Sequence, residues 1–153
     1  MSLALLTAHL SAETVKRLEA HGWPLVQRAD VAPAIAEAAA QGWRGFLLAE
    51  EFLSVFDGFL TIADYEIYKE AWQAIPITAA DYTPLRQLRE ERPIFPIGLG
   101  AGWAHLLLTD TGHIVCSLNG TPQLINPLHT HTIDSLIRDM ITQREQDQKE
   151  NNP

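Results

Sequence analysis

The sequence has one cysteine, few basic residues and no long apolar run, and each of these shortages excludes a class of protein. Cys116 has no partner cysteine, which excludes an internal disulfide framework and a zinc site built on several thiolates. The 11 Lys and Arg residues are outnumbered by 19 Asp and Glu residues, and a net charge of −8 does not give the basic footprint that nucleic-acid binding needs. No apolar run approaches the ~18 residues of a membrane span, and the short apolar run at residues 3–6 lacks the preceding basic residues of a secretory signal. We therefore expect a cytoplasmic protein, with a buried and inert thiol and no nucleic-acid or membrane partner.

The acidic charge is concentrated in one stretch of the chain. Between Arg44 and Arg86 there are seven acidic residues and one basic residue, Lys69, so this stretch carries −6 of the net −8. Residues 93–133 contain a single charged residue, Asp110. We interpret the first stretch as surface and the second as sheet and core.

Helices are predicted on both sides of a central sheet. Ser11 is a suitable N-cap for the first helix, and Gly22 supplies a left-handed stop after it. The predicted helices are 12–20, 34–40, 46–56, 85–91 and 132–143. The chain is long enough for one domain, which we place at residues 1–142. Residues 143–153 have almost nothing to bury and are expected to form a flexible tail.

A β-hairpin is the clearest strand signal. Through 104–118, alternate residues fall into two sets, one for each face of a strand, on both sides of a three-residue turn at 110–112. The turn has glycine where a positive φ is needed. The residues expected to face the core and one another are Leu106, Leu108, Ile114, Cys116 and Leu118. Those expected to face outward are His105, Leu107, Thr109, His113, Val115 and Ser117.

Two further segments, 60–68 and 123–125, are predicted strands, and 66–74 can be either strand or helix. Helices that come first in the chain, with strands later, are typical of an α+β domain. The prediction is a central, mostly antiparallel sheet flanked by helices.

Several residues could carry chemistry, but their spacing favours ordinary structural roles. His129 and His131 lack a nearby acid or cysteine to complete a metal site. Glu50 and Asp57 lie about 10 Å apart on a helix. Two carboxylates at this separation are found in inverting glycosidases, although such pairs occur more often on a solvated helix face. The glycine-rich segment 98–102 lacks the lysine and the hydroxyl residue of a P-loop. We therefore expect no catalytic residue, metal or cofactor.

The acidic stretch indicates where a basic partner would bind. Glu50 and Asp57 are expected to share an exposed helix face, because the apolar residues of that helix occupy the other face. Tyr65, Tyr68 and Trp72 lie at helical spacing, so they form either a core stripe or the aromatic part of a binding surface. The candidate partner-binding residues are Glu50, Glu51, Asp57, Asp64, Glu66 and Glu70.

Short motifs recur along the chain in an order that a known family shares. They are Gly22-Trp23 with Arg28 and Asp30, FLSVFDG at 52–58, FPIG at 95–98 and DTGHI at 110–114. In this order the chain resembles the SUKH superfamily of immunity proteins, most closely its third subgroup, over residues 18–140. The turn after the third helix departs from the family pattern, with Asp57-Gly58 in place of a glycine pair.

The resemblance implies an α+β fold and a non-enzymatic function: binding and neutralising a cognate protein toxin, often a nuclease or a deaminase, in bacterial competition. Nucleic-acid enzymes carry basic clefts, so an acidic surface fits this function, although acidity that serves only solubility is the alternative. The motif residues that look structural are Trp23, Gly58, Pro96, Gly98, Asp110 and Gly112. Two other functions stay open: a regulatory or scaffold module of the same fold, and an enzyme that uses Glu50 and Asp57.

Overall fold

The chain begins with a group of helices, continues into a sheet and ends in a long helix. The computed structural model describes residues 2–62, 64–118, 120–123 and 131–151. The helices are α1 (Ala4–Ala8), α2 (Ala12–Ala20), α3 (Ala32–Ala40), α4 (Leu47–Phe56), α5 (Thr83–Glu91) and α6 (Ile133–Asn151). The strands are β1 (Glu66–Ile67), β2 (Ile94–Leu99), β3 (His105–Thr109), β4 (His113–Leu118), β5 (Thr121–Gln123) and β6 (His131–Thr132). Short 3-10 turns lie at Ala71–Ala74, Ala80–Tyr82 and Ala101–Trp103.

The strands form one antiparallel sheet in the order β1-β2-β3-β4-β5, and β6 also pairs with β4. In the β3–β4 hairpin Leu106 pairs with Cys116 and Leu108 with Ile114, which confirms the predicted register. Gly112 has a φ of +86° in the hairpin turn, the left-handed conformation that glycine adopts without strain. The α+β prediction, with an antiparallel sheet flanked by helices, is therefore confirmed.

The hairpin is buried on both faces, which corrects the prediction that one face points outward. The buried residues of the predicted outward set are His105, Leu107, Thr109, Val115 and Ser117. Tyr82, in the turn before α5, packs against His105 with 6.2 Å between ring centroids. Leu118, predicted to be in the core, is 39% exposed at the end of β4. Alternation along a strand separates its two faces, but it does not show that a second layer covers the more polar one.

The N-terminal helices begin and end close to their predicted positions. The Ser11 hydroxyl accepts a hydrogen bond from the Thr14 N–H at 3.1 Å, as the capping prediction requires. Gly22, with a φ of +74°, follows α2 as the predicted left-handed stop. α3 begins earlier than predicted, because the Asp30 carboxylate accepts the Ala32 N–H at 3.2 Å. The sequence pattern did not predict α1.

The last helix, α6, continues to Asn151, through most of the segment predicted to be a flexible tail. The Glu145 carboxylate lies 3.2 Å from Arg17 and 3.0 Å from His21, which joins this part of α6 to α2. Hydrogen bonds from His21 and Arg17 lower the pKa of Glu145. These partners lie 124 and 128 residues away in sequence, so the pattern of the tail alone gave no sign of the contacts.

The segment between α4 and α5 is less regular than predicted. The described residues of the predicted strand 60–68 contain only β1 and an isolated bridge between Ile62 and Tyr65. Residues 66–74 were predicted to be either strand or helix, and they contain β1 and the 3-10 turn Ala71–Ala74. The third predicted strand corresponds to β5, which begins before residue 123, while residues 124 and 125 lie outside the described residues.

β1 pairs with β2 through a close backbone approach at Gly98. The pairing of β2 with β3 shifts between Pro96 and Gly98, as in a β-bulge. A Cβ atom at Gly98 would overlap the carbonyl oxygen of Glu66, so this position needs glycine for space. Gly58 needs glycine for a different reason, since it ends α4 with a φ of +77°.

Candidate functional site

The acidic residues around β1 lie at the outer edge of the sheet. Among the strands that the structure describes, β1 has a neighbour, β2, on one side only, and Asp64 and Glu66 are exposed there. The Glu70 carboxylate follows in the next turn, 3.5 Å from the Lys69 ammonium. We call this surface the acidic edge and define it by Asp64, Tyr65, Glu66, Tyr68 and Glu70.

Two half-buried tyrosines place aromatic surface among these carboxylates. The Tyr65 hydroxyl donates a hydrogen bond to Asp139 of α6 at 2.9 Å. Burial, this bond and the charge of Asp139 raise the pKa of Tyr65 far above its ordinary value. Burial and the charges of Glu66 and Glu70 raise the pKa of Tyr68. Both phenols are therefore neutral, and the one hydroxyl proton of Tyr65 is already donated to Asp139.

The three aromatic residues at helical spacing do not lie on one helix. Tyr65 and Tyr68 flank β1, whereas Trp72 lies in the 3-10 turn Ala71–Ala74. Trp72 packs against the core and lines a small cleft of about 190 Å³. Its buried indole nitrogen has no hydrogen-bond partner among the described residues. The core interpretation thus fits Trp72 and, in part, Tyr65, which also packs against the core, although both tyrosines lie at the acidic edge.

Glu51 is not accessible to a partner, which corrects its prediction as a binding residue. Its exposed fraction is 1%. Its Oε1 atom accepts hydrogen bonds from the backbone N–H groups of Leu5 at 3.1 Å and Leu6 at 3.3 Å. N–H groups in the first turn of a helix have no acceptor within that helix. Glu51 therefore caps α1 from the side of α4.

Glu50 and Asp57 do not form the predicted exposed helix face. Both are half-buried, and Ser54 between them is fully buried, because α4 is covered on most of its sides. The Asp57 carboxylate accepts the Lys69 N–H at 2.8 Å and lies 3.7 Å from the Lys69 ammonium. Asp57 thus joins the end of α4 to the loop that follows β1.

A larger cleft, of about 760 Å³, lies between the α3–α4 connection and the end of α5. Its charged lining residues are Arg44, Arg89, Glu90, Glu91 and Arg92. Glu50 and Asp57 line neither this cleft nor the one at Trp72. The pair of carboxylates on which the enzyme alternative depends is therefore not placed in either concave site.

A buried histidine and a buried serine lie opposite each other in the hairpin. His105 pairs with Ser117 across β3 and β4, and neither His105 Nδ1 nor Ser117 Oγ has a hydrogen-bond partner among the described residues. Burial lowers the pKa of His105, which favours the neutral ring. The neighbouring Cys116 is half-buried and not fully buried as predicted. Burial still raises the pKa of its thiol, which agrees with the prediction of an inert cysteine. The sequence analysis missed the buried pair because it assigned both residues to an outward face.

The histidine pair of the C-terminal half is only partly described. His131 is half-buried in β6, and His129 lies outside the described residues. In the part of the chain that the structure covers, no group of three or more His, Cys, Asp or Glu side chains could hold a metal ion.

Trp103 is an exposed aromatic residue that the sequence pattern does not reveal. It lies in the loop between β2 and β3, which a 2.8 Å hydrogen bond from the Gly100 N–H to the Ala104 carbonyl closes. Trp103 is 82% exposed. Its φ is +63°, and that of Gly102 before it is +69°. Tryptophan after a glycine-rich segment is visible in the sequence, but the exposure and the left-handed backbone are not.

The family-motif residues lie mainly at turns and in the core. The Trp23 indole donates a hydrogen bond to the Val55 carbonyl at 2.8 Å and packs edge-to-face on Phe59, with 5.3 Å between centroids. The Arg28 guanidinium lies 4.3 Å from the centroid of the Trp23 ring. The other motif residues are Gly58 after α4, Pro96 and Gly98 in β2, and Asp110 and Gly112 in the hairpin turn. Trp23 in particular joins the segment after α2 to the end of α4.

No protein-family model, no curated protein and no solved structure matches this chain. The resemblance to the SUKH superfamily therefore stays a prediction from the order of short motifs. Among the described residues, no helix combines the length and the apolar character that a membrane-spanning segment requires.

Proposed function

We propose that this protein is an immunity-type binding protein that neutralises a cognate bacterial toxin, a nuclease or a deaminase, by direct binding. The observation that carries the proposal is the acidic edge, where exposed carboxylates of Asp64 and Glu66 lie next to the neutral rings of Tyr65 and Tyr68. Carboxylates accelerate the encounter with a basic surface, and aromatic side chains supply much of the contact energy in protein interfaces.

The proposed mechanism is occlusion of the substrate-binding surface. Enzymes that act on nucleic acids hold the phosphate backbone with Lys and Arg side chains. An acidic protein surface can occupy the position of that backbone and exclude the nucleic acid. No covalent bond has to form or break, so the protection depends on the affinity and lifetime of the complex.

The charge distribution supports docking at this edge of the sheet. Of the six predicted partner-binding acids, Asp64 and Glu66 are exposed, and Glu70 is partly exposed beside Lys69. Glu51 and Asp57 hold other parts of the chain in place instead. The binding surface we propose is therefore smaller than the acidic stretch of the sequence.

The same edge would also serve a regulatory or scaffold module that binds a cellular protein, so the identity of the partner separates the two functions. The test is to express the product of the gene beside this one, alone and together with this protein. We expect growth arrest with the product alone and recovery with both proteins. A complex that forms but leaves growth arrested would favour the scaffold function, and purified proteins that do not bind would contradict both functions for this pair.

A matched pair of variants tests the surface in the same assay. Asp64→Lys combined with Glu66→Lys should weaken the protection. Glu19→Lys combined with Glu37→Lys changes the net charge equally at exposed positions of α2 and α3 and should leave it intact. Equal protection by both double variants would show that the acidic edge is not the binding surface.

A further inference from the structure

Trp103 differs from the other three tryptophans of the chain in its surroundings. Trp43 is fully buried, and Trp23 and Trp72 are half-buried and pack against the core. Trp103 is 82% exposed at the tip of the β2–β3 loop. Full burial of a large apolar side chain is favourable by roughly 1.5–3 kcal/mol, and most of this gain is not realised at Trp103 in the isolated protein.

The backbone at Trp103 is also in an unfavourable conformation. A bulky residue with a positive φ is uncommon and strained, and Trp103 has a φ of +63°, directly after Gly102 at +69°. Leu60 is the other non-glycine residue with a positive φ among the described residues, at +38°. The side chain of Leu60 packs against the core, which compensates for the strain, whereas Trp103 has no such packing.

The position of the loop connects Trp103 with the acidic edge. Glu66 of β1 pairs with Leu99, the last residue of β2, and the loop begins at the next residue. A Cβ atom on Gly100 would lie 3.7 Å from the Tyr65 ring, so the loop starts close to the acidic edge. An exposed indole thus lies at the same end of the sheet as Asp64 and Glu66.

We infer that Trp103 is the apolar anchor of the partner interface, and that its indole inserts into an apolar recess on a basic partner protein. This inference rests on the proposed function, and it adds Trp103 to the binding surface that the acidic edge forms. Tryptophan is the side chain most enriched among the residues that dominate protein interfaces. The exposed ring is available to a partner, and the carboxylates of Asp64 and Glu66 select a partner of positive charge.

The test measures the binding of the protein encoded by the adjacent gene to the wild type and to Trp103 variants, by surface plasmon resonance. Trp103→Ala should raise Kd by about 30-fold or more, mainly through faster dissociation. Trp103→Phe keeps an aromatic ring and should lose less. As a control, Val26→Ala shortens an apolar side chain that is 50% exposed in another part of the chain, and should change Kd by no more than about twofold.

A second measurement needs no partner. Trp103→Gly removes the side chain that makes the left-handed backbone unfavourable, and should raise the Tm of the isolated protein by about 2–4 °C. A lower Tm would show that the indole contributes to folding and would overturn the inference.

The outcomes separate the inference from the proposed function. If the wild type binds and Trp103→Ala binds with the same Kd, the proposed function is retained and the inference is overturned. If the wild type does not bind this protein, the proposed function fails for this pair, and the inference fails with it. If the wild type is a dimer that Trp103→Ala converts to a monomer, the indole contacts a second copy of this chain, and the inference is overturned in favour of self-association.

Discussion

The Oε1 atom of Glu51 accepts a hydrogen bond from the backbone nitrogen of Leu6 at 3.3 Å, so a carboxylate in the middle of α4 holds the first turn of α1. The helix is only five residues long and buries a single side chain, that of Leu6. Such a short helix has little stability of its own. The position of the N-terminal segment therefore depends on this buried acid together with the packing of Leu6 in the core.

Removal of this acid should destabilise the protein. Glu51→Ala leaves the N–H groups of Leu5 and Leu6 without their acceptor, and should lower the free energy of unfolding by about 1–3 kcal/mol. Glu51→Gln keeps an acceptor oxygen and should cost less. Urea denaturation measures both. Glu50→Ala, at the half-buried neighbour, is the control and should cost about 0.5 kcal/mol or less, so an equal cost at the two positions would contradict the capping function.

Two glycines should respond differently to substitution. At Gly58 an added Cβ meets no atom within 4 Å, so Gly58→Ala should cost about 1 kcal/mol through its φ of +77° alone. At Gly98 the added Cβ overlaps the Glu66 carbonyl oxygen, and Gly98→Ala should cost about 1–3 kcal/mol through forced displacement of β1.

Asparagine variants separate these two causes. Asn tolerates the left-handed backbone better than Ala, so Gly58→Asn should be more stable than Gly58→Ala. Gly98→Asn should give no recovery over Gly98→Ala in thermal denaturation, because the obstacle there is space. If Asn restores stability over Ala at Gly98 but not at Gly58, the backbone cause belongs to Gly98 and the steric cause to Gly58, contrary to this prediction.

The buried ring of His105 should make stability depend on pH. Its pKa in the folded protein is lower than its ordinary value of 6.5, so the unfolded chain binds this proton more readily. The stabilisation that comes from the neutral ring is fully present above about pH 6.5, decreases as the pH falls, and stops decreasing below the folded-state pKa.

His105→Gln removes this contribution. As the pH is lowered from 7.5 to 5, the free energy of unfolding of the wild type should therefore fall relative to that of the variant. Urea titrations at several pH values give the comparison. His113→Gln, on the exposed side chain next to the turn, is the control for the substitution itself. Parallel profiles for all three proteins would mean that the His105 ring titrates alike in the folded and unfolded states.

Association with the partner should depend on salt through the acidic edge. Asp64→Lys with Glu66→Lys should slow association by about tenfold or more at low salt, and by less at physiological salt, because steering by exposed charges is screened. Stopped-flow mixing at two ionic strengths measures the rates. An association rate that is the same for this variant and the wild type at low salt would mean that the acids serve only solubility.

The order of elements was predictable because it depends on local signals. The Ser11 cap, the glycine in the 110–112 turn and the register of Leu106 with Cys116 follow from spacing over a few residues, and the structure confirms them. α1 was not predictable in this way, since its cap comes from Glu51, 45 residues away from Leu6.

The candidate site was predictable only in part, because charge along a sequence does not distinguish a solvated acid from one that holds the fold together. Asp64 and Glu66 are exposed as expected, but Glu51 caps a helix and Asp57 binds the Lys69 backbone. Both of these bonds join elements that come together only in the folded chain. The exposure of Trp103 likewise depends on a loop closed by backbone atoms, which no side-chain pattern encodes.

The shortness of β1 limits how a partner can be recognised at the acidic edge. Within the described residues, β1 has two residues, and β5 at the other end of the strand order has three, including Pro122, which has no N–H to donate. Such short outer strands offer few free backbone groups to an incoming peptide segment, and strand addition depends on a continuous row of these groups. A partner at β1 would therefore be recognised through side chains, and unrelated chains that expose a strand would have little backbone to pair with.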